Sequence, residues 1–92
     1  MLFAIVCKDR PGALDVRLNN RGAHVSYLES QGDRLVMAGP TLTDGGDMNG
    51  SIIVIDFDDR AACESFCAND PYAQAGLFEK VTISSYKKVL PR

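Results

Sequence analysis

Gly50-Ser-Ile-Ile-Val-Ile-Asp-Phe57 is the stretch on which the fold turns. It is short, β-branched and preceded by the turn-rich run Thr41-Leu-Thr-Asp-Gly-Gly-Asp-Met-Asn49, so it reads as a strand entered from an irregular hairpin loop. From Ile52 to Ile55 it is apolar at both parities, and Leu2-Phe-Ala-Ile-Val-Cys7 shares that property. Strands apolar on both sides belong in the middle of a sheet, with both faces covered. Arg34 to Pro40 reads as the strand on the other side of the hairpin, with Ala38-Gly39-Pro40 ending it. Leu77 to Tyr86 reads as a last strand of mixed polarity.

The intervening segments carry helical spacing. Leu14, Leu18, Val25 and Leu28 recur close to the helical period, which predicts a helix from about Gly12 to Gln31. Pro11 suits its first turn and Gly32 its end. Gly22, after Asn19-Asn20, predicts a kink or restart there, with Asn20 capping the second half. Asp58 or Asp59 caps a second helix whose inner face holds Ala62, Cys63, Phe66 and Cys67. Asn69-Asp70-Pro71 ends that helix, because the residue before a proline is pushed out of the α region. The order β-α-β-β-α-β is the ferredoxin-like α+β arrangement with a four-stranded antiparallel sheet. Both helices then lie on one face, and the first and third strands are central. Their other apolar face needs a cover that the chain does not contain, and a second copy packed sheet on sheet is the expected one.

Composition narrows the function. Ninety-two residues allow one domain, residues 1–92, and 46% hydrophobic with 24% charged residues is a globular composition. Ten Lys plus Arg against twelve Asp plus Glu give a net charge of −2, and the only adjacent cationic pair is Lys87-Lys88. That argues against nucleic acid and anionic membranes as partners. The longest apolar run, Leu2 to Cys7, is far short of the ~20 residues a bilayer-spanning helix needs. No basic stretch followed by a long apolar run opens the chain, and Cys7, Cys63 and Cys67 form no disulfide framework. A cytoplasmic protein with reduced thiols is expected.

Few residues can carry chemistry. The single histidine, His24, excludes a multi-histidine metal site within one chain, and Cys63 with Cys67 reads as packing rather than zinc ligation. Asp44-Gly-Gly-Asp47-Met-Asn49 lacks the spacing of a calcium loop. No phosphate-cradling glycine loop is present, and Ser51 stands in no nucleophile elbow. No cofactor or metal is implied. Arg17, Arg21, His24 and Leu28 fall on one helical stripe, and Arg21 also lies on the line through Leu14, Leu18, Val25 and Leu28. Two readings fit them: an inward guanidinium at the rim of a cavity with His24 beside it, or a snorkelling arginine and an ordinary surface histidine. Asp70 before Pro71 is equally at home in plain turn chemistry, and Gly39 in plain strand termination.

Taken together, Arg21-Gly-Ala-His24-Val-Ser-Tyr-Leu28, Met37-Ala-Gly-Pro40, Gly50-Ser-Ile-Ile and Asn69-Asp-Pro-Tyr72-Ala-Gln-Ala-Gly76 resemble the YciI-like family, in order and spacing, from Met1 to about Val89. The resemblance implies a ferredoxin-like fold in a dimeric α+β barrel, and a His–Asp pair in a cleft, at His24 and Asp70. The chain departs from the family's habit at Gly22, where a proline often follows the arginine, and at Ser85-Tyr86, where a proline-aromatic pair is more usual. One branch of the family resembles a dehydrochlorinase acting on a chlorinated hydroxyquinol, and other members are joined to or grouped with regulatory domains.

The implied chemistry is concrete. Asp70 accepts a hydrogen bond from one ring nitrogen of His24 and fixes its tautomer, leaving the other nitrogen as a general acid or base. Arg21 holds a carboxylate, phenolate or phosphate; Gly39 and Pro40 shape the wall; Ser51 supplies a polar contact. Lyase, isomerase or hydrolytic elimination chemistry on a small polar or aromatic molecule is the expectation, with nucleophilic attack by His24 on a phosphoryl group a variant of it. A non-catalytic ligand-binding or regulatory module, and a His24–Asp70 contact that merely ties two helices together, are the competing readings.

Overall fold

The two doubly apolar strands pair with each other at the centre of one sheet. The computed structural model describes residues 1–92 as β1 (Leu2–Asp9), α1 (Leu14–Glu29), a single 3-10 turn (Gly32–Arg34), β2 (Leu35–Leu42), β3 (Met48–Asp56), α2 (Arg60–Asn69), the one-turn α3 (Pro71–Gln74) and β4 (Phe78–Tyr86). The sheet order is β2-β3-β1-β4, with antiparallel neighbours throughout, which is the ferredoxin-like βαββαβ arrangement. No helix is long and apolar enough to cross a membrane.

Register assigns the faces. Phe3, Ile5 and Cys7 of β1 stand opposite Ile55, Ile53 and Ser51 of β3. Since side chains alternate along a strand, these residues share the helix-covered face. There all of them but Ser51 form the core with Leu28 of α1, Cys63 and Phe66 of α2, and Phe57. The other parity carries Ala4 and Val6 opposite Val54 and Ile52, with Met37 of β2 beside Val54. That face is apolar and open: Val6 is 48% and Met37 56% exposed, while Val54 is buried among its neighbours.

Several elements differ from the expectations above, each for a local reason. Gly12 adopts φ +72°, a left-handed turn that no helix tolerates, so α1 begins at Leu14 and Pro11 stays outside it. The helix then runs unbroken through Asn19, Asn20 and Gly22 to Glu29. Asn20 caps nothing; its amide donates to the Val16 carbonyl at 2.9 Å. Pro40 does not end β2, because β2 is an edge strand, where a missing N–H is tolerated. The strand continues to Leu42, and the turn shrinks to Thr43–Asp47, closed by the Thr43 N–H donating to the Asp47 carbonyl at 2.8 Å. Asp59 caps α2 as expected, accepting from the Ala62 N–H at 2.8 Å.

The buried stripe of α1 is also rotated. Arg17, His24 and Leu28 face inward, whereas Leu14 and Leu18 look outward, Leu18 being 51% exposed. Rotation is set by what the sheet and α3 offer the helix, namely two carboxylates and a hydroxyl, rather than by apolar spacing alone.

Candidate active site

The Asp70-Pro71 junction does two things at once. Pro71 holds Asp70 in an extended conformation (φ −60°, ψ 130°), which ends α2 and makes Asp70 the N-cap of α3. Its Oδ1 accepts from the Tyr72 N–H at 2.8 Å and also meets His24 Nδ1 at 2.9 Å. Both partners are buried, His24 at 7% and Asp70 at 3% exposure. A carboxylate at Nδ1 holds a proton on that nitrogen, and Nε2 has no protein partner. Tyr72 holds the imidazole from the side, ring on ring, with centroids 3.8 Å apart and planes 17° from parallel. Tyr72 is itself fixed, packed with Ala13 and Leu77 and set edge-on to Phe78.

A second buried pair lies next to the first. Arg17 Nε donates to Asp9 Oδ2 at 2.7 Å and Nη2 to Asp9 Oδ1 at 2.8 Å, a bidentate clamp between α1 and the end of β1. The same Nη2 donates to Ser51 Oγ at 2.9 Å, and the guanidinium carbon lies 4.7 Å from the centre of the Tyr72 ring. Burial works against the Arg17 charge, but the hydrogen bond and charge of Asp9 outweigh it and raise the Arg17 pKa above its ordinary value. Burial also raises the Tyr72 phenol, an effect opposed by the Arg17 cation. One aromatic ring thus touches both pairs.

Between α1 and the β2–β3 hairpin opens a cleft of about 260 Å³. Arg17, His24, Ser51 and Tyr72 give it a polar end, and Val25, Leu28, Leu35, Ala38 and Met48 supply apolar walls. An apolar cavity of about 150 Å³ takes benzene, so this one has room for a substituted six-membered ring. Arg21 lines the mouth, exposed and without an ion-pair partner; Gly39 and Pro40 line the β2 side. Five of the six expected residues therefore border one space, and Asp70 stands behind His24 rather than in the lining. A side chain at Gly39 would meet nothing within 4 Å, so close approach does not demand glycine there. It does at Gly50, where a Cβ would collide with the Cys7 carbonyl and Thr41 Oγ1, so glycine lets β1 and β3 approach closely beside Ser51.

Sequence reasoning passed over Asp9, Arg17 and Tyr72 as functional residues. The signal for Asp9 was the alternation Phe3, Ile5, Cys7, Asp9, which carries it onto the helix-covered face. Arg17 was visible on the stripe shared with His24 and Leu28. No group of three or more His, Cys, Asp and Glu side chains is placed to hold a metal ion. Burial foremost pushes the Cys7 and Cys67 thiols up to about 12, which suits packing rather than reactivity.

Fold and site together define a ferredoxin-like protein with a buried histidine–carboxylate pair at the end of a ring-sized cleft. The chain belongs to the YCII-related domain family, whose pattern it matches over residues 1–87. It is 34% identical to Protein YciI of Escherichia coli O6:H1, covering 97% of this chain and 99% of that one. It is 31% identical to an uncharacterised protein of Haemophilus influenzae, covering 97% and 99% respectively. Among solved structures, it resembles the 5-chloro-2-hydroxyhydroquinone dehydrochlorinase TftG of Burkholderia phenoliruptrix AC1100, in complex with 2,5-dihydroxybenzoquinone. That match has a TM-score of 0.88 and 41% identity over 95% of this chain and 94% of that one. SnoaB, a cofactor-independent oxygenase of Streptomyces nogalater, shares the fold with a TM-score of 0.63, 16% identity and coverage of 99% and 97%.

Proposed function

We propose that this protein is a small-molecule enzyme in which His24, oriented by Asp70, serves as general acid and base in a lyase, isomerase or hydrolytic elimination reaction on a small oxygenated ring. The observation that carries this reading is the buried 2.9 Å contact between His24 Nδ1 and Asp70 Oδ1, which leaves Nε2 unpartnered on a residue that lines the cleft. An elimination needs a base to take a proton while the leaving group departs with its bonding electrons, and a neutral imidazole oriented by a carboxylate meets that need. Asp70 stabilises the imidazolium that results. Arg21, exposed at the mouth, suits an anionic substrate oxygen, while Gly39, Pro40 and the aliphatic wall suit the ring. The likeness to a dehydrochlorinase solved with a dihydroxybenzoquinone supports a substrate of this class.

The decisive experiment measures turnover of chlorinated hydroxyquinols and related phenols by wild type and His24→Gln, with 2,5-dihydroxybenzoquinone as the binding probe. The expected loss in His24→Gln is about 10²–10⁴-fold in rate, with the His24 imidazole resonances moving when the probe binds wild type. Probe binding without turnover of any compound would instead make the cleft a recognition site. A wild-type imidazole indifferent to every compound would leave the His24–Asp70 contact as a structural tie.

We further propose that the functional unit is a homodimer packed sheet on sheet, because Val6, Met37 and Ile52 form an open apolar surface on the central strands and their neighbour. Light scattering is expected to report a dimer for wild type and a monomer for Met37→Glu with Ile52→Glu. A wild-type monomer at micromolar concentration would overturn this.

A further inference from the structure

The cleft contains a second polar station whose hydrogen-bonding capacity is only half used. Ser51 is 2% exposed, lies on the helix-covered face of β3 and lines the cleft. Its Oγ accepts from Arg17 Nη2 at 2.9 Å, and Arg17 cannot turn away, because Asp9 grips it through two further bonds. A serine hydroxyl has one proton to donate, and no protein acceptor receives it here. Arginine is a donor only, so it cannot take that proton, and no base bonded to Ser51 activates the oxygen as a nucleophile. What remains is a directional donor. Its oxygen is polarised by a guanidinium, on a side chain that is itself buried.

The geometry points to Ser51 as the donor that receives a ligand's anionic or carbonyl oxygen, with Arg17 and Asp9 positioning it, so that the cleft selects ring compounds bearing one oxygen for His24 and another for Ser51. This rests on the reading of the cleft as a small-ring site and adds a second point of recognition to it. The two stations differ in kind. His24 can change protonation during a reaction, whereas Ser51, Arg17 and Asp9 hold a fixed pattern of donors and acceptors near neutral pH. Tyr72 joins them, stacked on His24 and lying beneath the Arg17 guanidinium, so the spacing between the stations is set by one rigid ring.

The test uses the whole protein and the same probe, 2,5-dihydroxybenzoquinone, whose ionised form near neutral pH offers only acceptor oxygens, so that Ser51 meets it as a donor and His24 meets it with Nε2 protonated. Binding is followed by the probe's visible absorbance in wild type, Ser51→Ala, Ser51→Cys and His24→Gln, with the His24 imidazole resonances recorded in each serine variant. Ser51→Ala is expected to weaken binding about ten- to a hundredfold, as for a lost bond to a charged acceptor. Ser51→Cys keeps the shape but donates poorly, and is expected to fall by a similar factor, with His24 undisplaced in both variants. If either serine variant binds within about twofold of wild type, the donor role is overturned; loss of binding in His24→Gln would then leave the general-base reading standing. Weakened binding accompanied by displaced His24 resonances makes Ser51 structural and also overturns the proposal. A wild-type protein that neither binds the probe nor shifts His24 overturns both readings together.

Discussion

The inward and outward stripes of α1 invert the usual division of polar and apolar residues. Inward lie Arg17 and His24 with Ala13 at the start and Leu28 near the end; outward lie Leu14 and Leu18. What separates the two sides is the supply of partners. Asp9 and Ser51 meet the guanidinium and Asp70 meets the imidazole, and no side-chain nitrogen or oxygen wholly shut off from solvent is left without a hydrogen bond. The outward leucines lose little by facing solvent, since single exposed leucines are ordinary on protein surfaces. A helix rotates to satisfy its most expensive groups first, and a guanidinium and an imidazole outrank two leucines.

Cutting the Asp9–Arg17 clamp is therefore the largest test of this contrast. Asp9→Ala leaves a buried guanidinium with only Ser51 and the Tyr72 face for company, and is expected to cost about 3–5 kcal/mol in urea denaturation. Replacing both partners, Asp9→Leu with Arg17→Met, is expected to recover most of that stability while removing the donor to Ser51. A loss under about 1 kcal/mol for Asp9→Ala would show that the clamp does not set the rotation of α1.

The floor beneath the inward stripe provides the next effect. The Cys7 thiol is pushed from 9.0 up to about 12, first by burial and then by the Asp70 charge. Because the folded value lies above the unfolded one, raising the pH past 9.0 deprotonates the unfolded chain first and draws the equilibrium toward it. Stability is expected to fall by about 1.4 kcal/mol per pH unit for this thiol between the two values. Cys7→Ala should give a shallower slope over the same range, whatever its stability at neutral pH. An unchanged slope would show that the thiol is hydrated.

The topology was legible because it rests on features local to each segment: the doubly apolar runs of β1 and β3, the hairpin glycines, the Asp59 cap and the proline after Asp70. Even the open apolar face follows from parity alone. The rotation of α1 was not legible, since it depends on Asp9, Ser51 and Asp70, which reach the helix from β1, β3 and the start of α3. His24 and Asp70 stood out through family resemblance, because no spacing rule connects residues so far apart in the chain. Arg17 was masked by its charge, which reads as solvent-facing until a partner is known.

His24→Gln should separate the two inward pairs. The Arg17 clamp is fully charged and doubly bonded, whereas His24 makes one bond to Asp70 and one stacking contact. Its removal is expected to cost only about 1 kcal/mol of stability, as for an ordinary hydrogen bond, in the same variant expected to lose turnover. If His24→Gln destabilises as severely as Asp9→Ala, both pairs are scaffold and the functional reading of His24 weakens.

The smallest effect lies on the outward side, at Gly22, and has the opposite sign. A glycine in mid-helix was expected to kink or restart α1, yet the helix passes through it unbroken. Its φ is not among the positive values that would require glycine, and a Cβ there would meet nothing within 4 Å. Neither backbone conformation nor space therefore demands glycine at this position. Alanine would restrict the unfolded chain while fitting the helix, so Gly22→Ala is expected to stabilise the protein by about 0.5–1 kcal/mol. Thermal denaturation with and without the probe distinguishes what that glycine does. A stabilised variant with unchanged probe affinity makes Gly22 incidental to the site. Stabilisation with weakened affinity would mean that the backbone freedom of a glycine between Arg21 and His24 is used when the cleft fills, linking the outward stripe to the inward one.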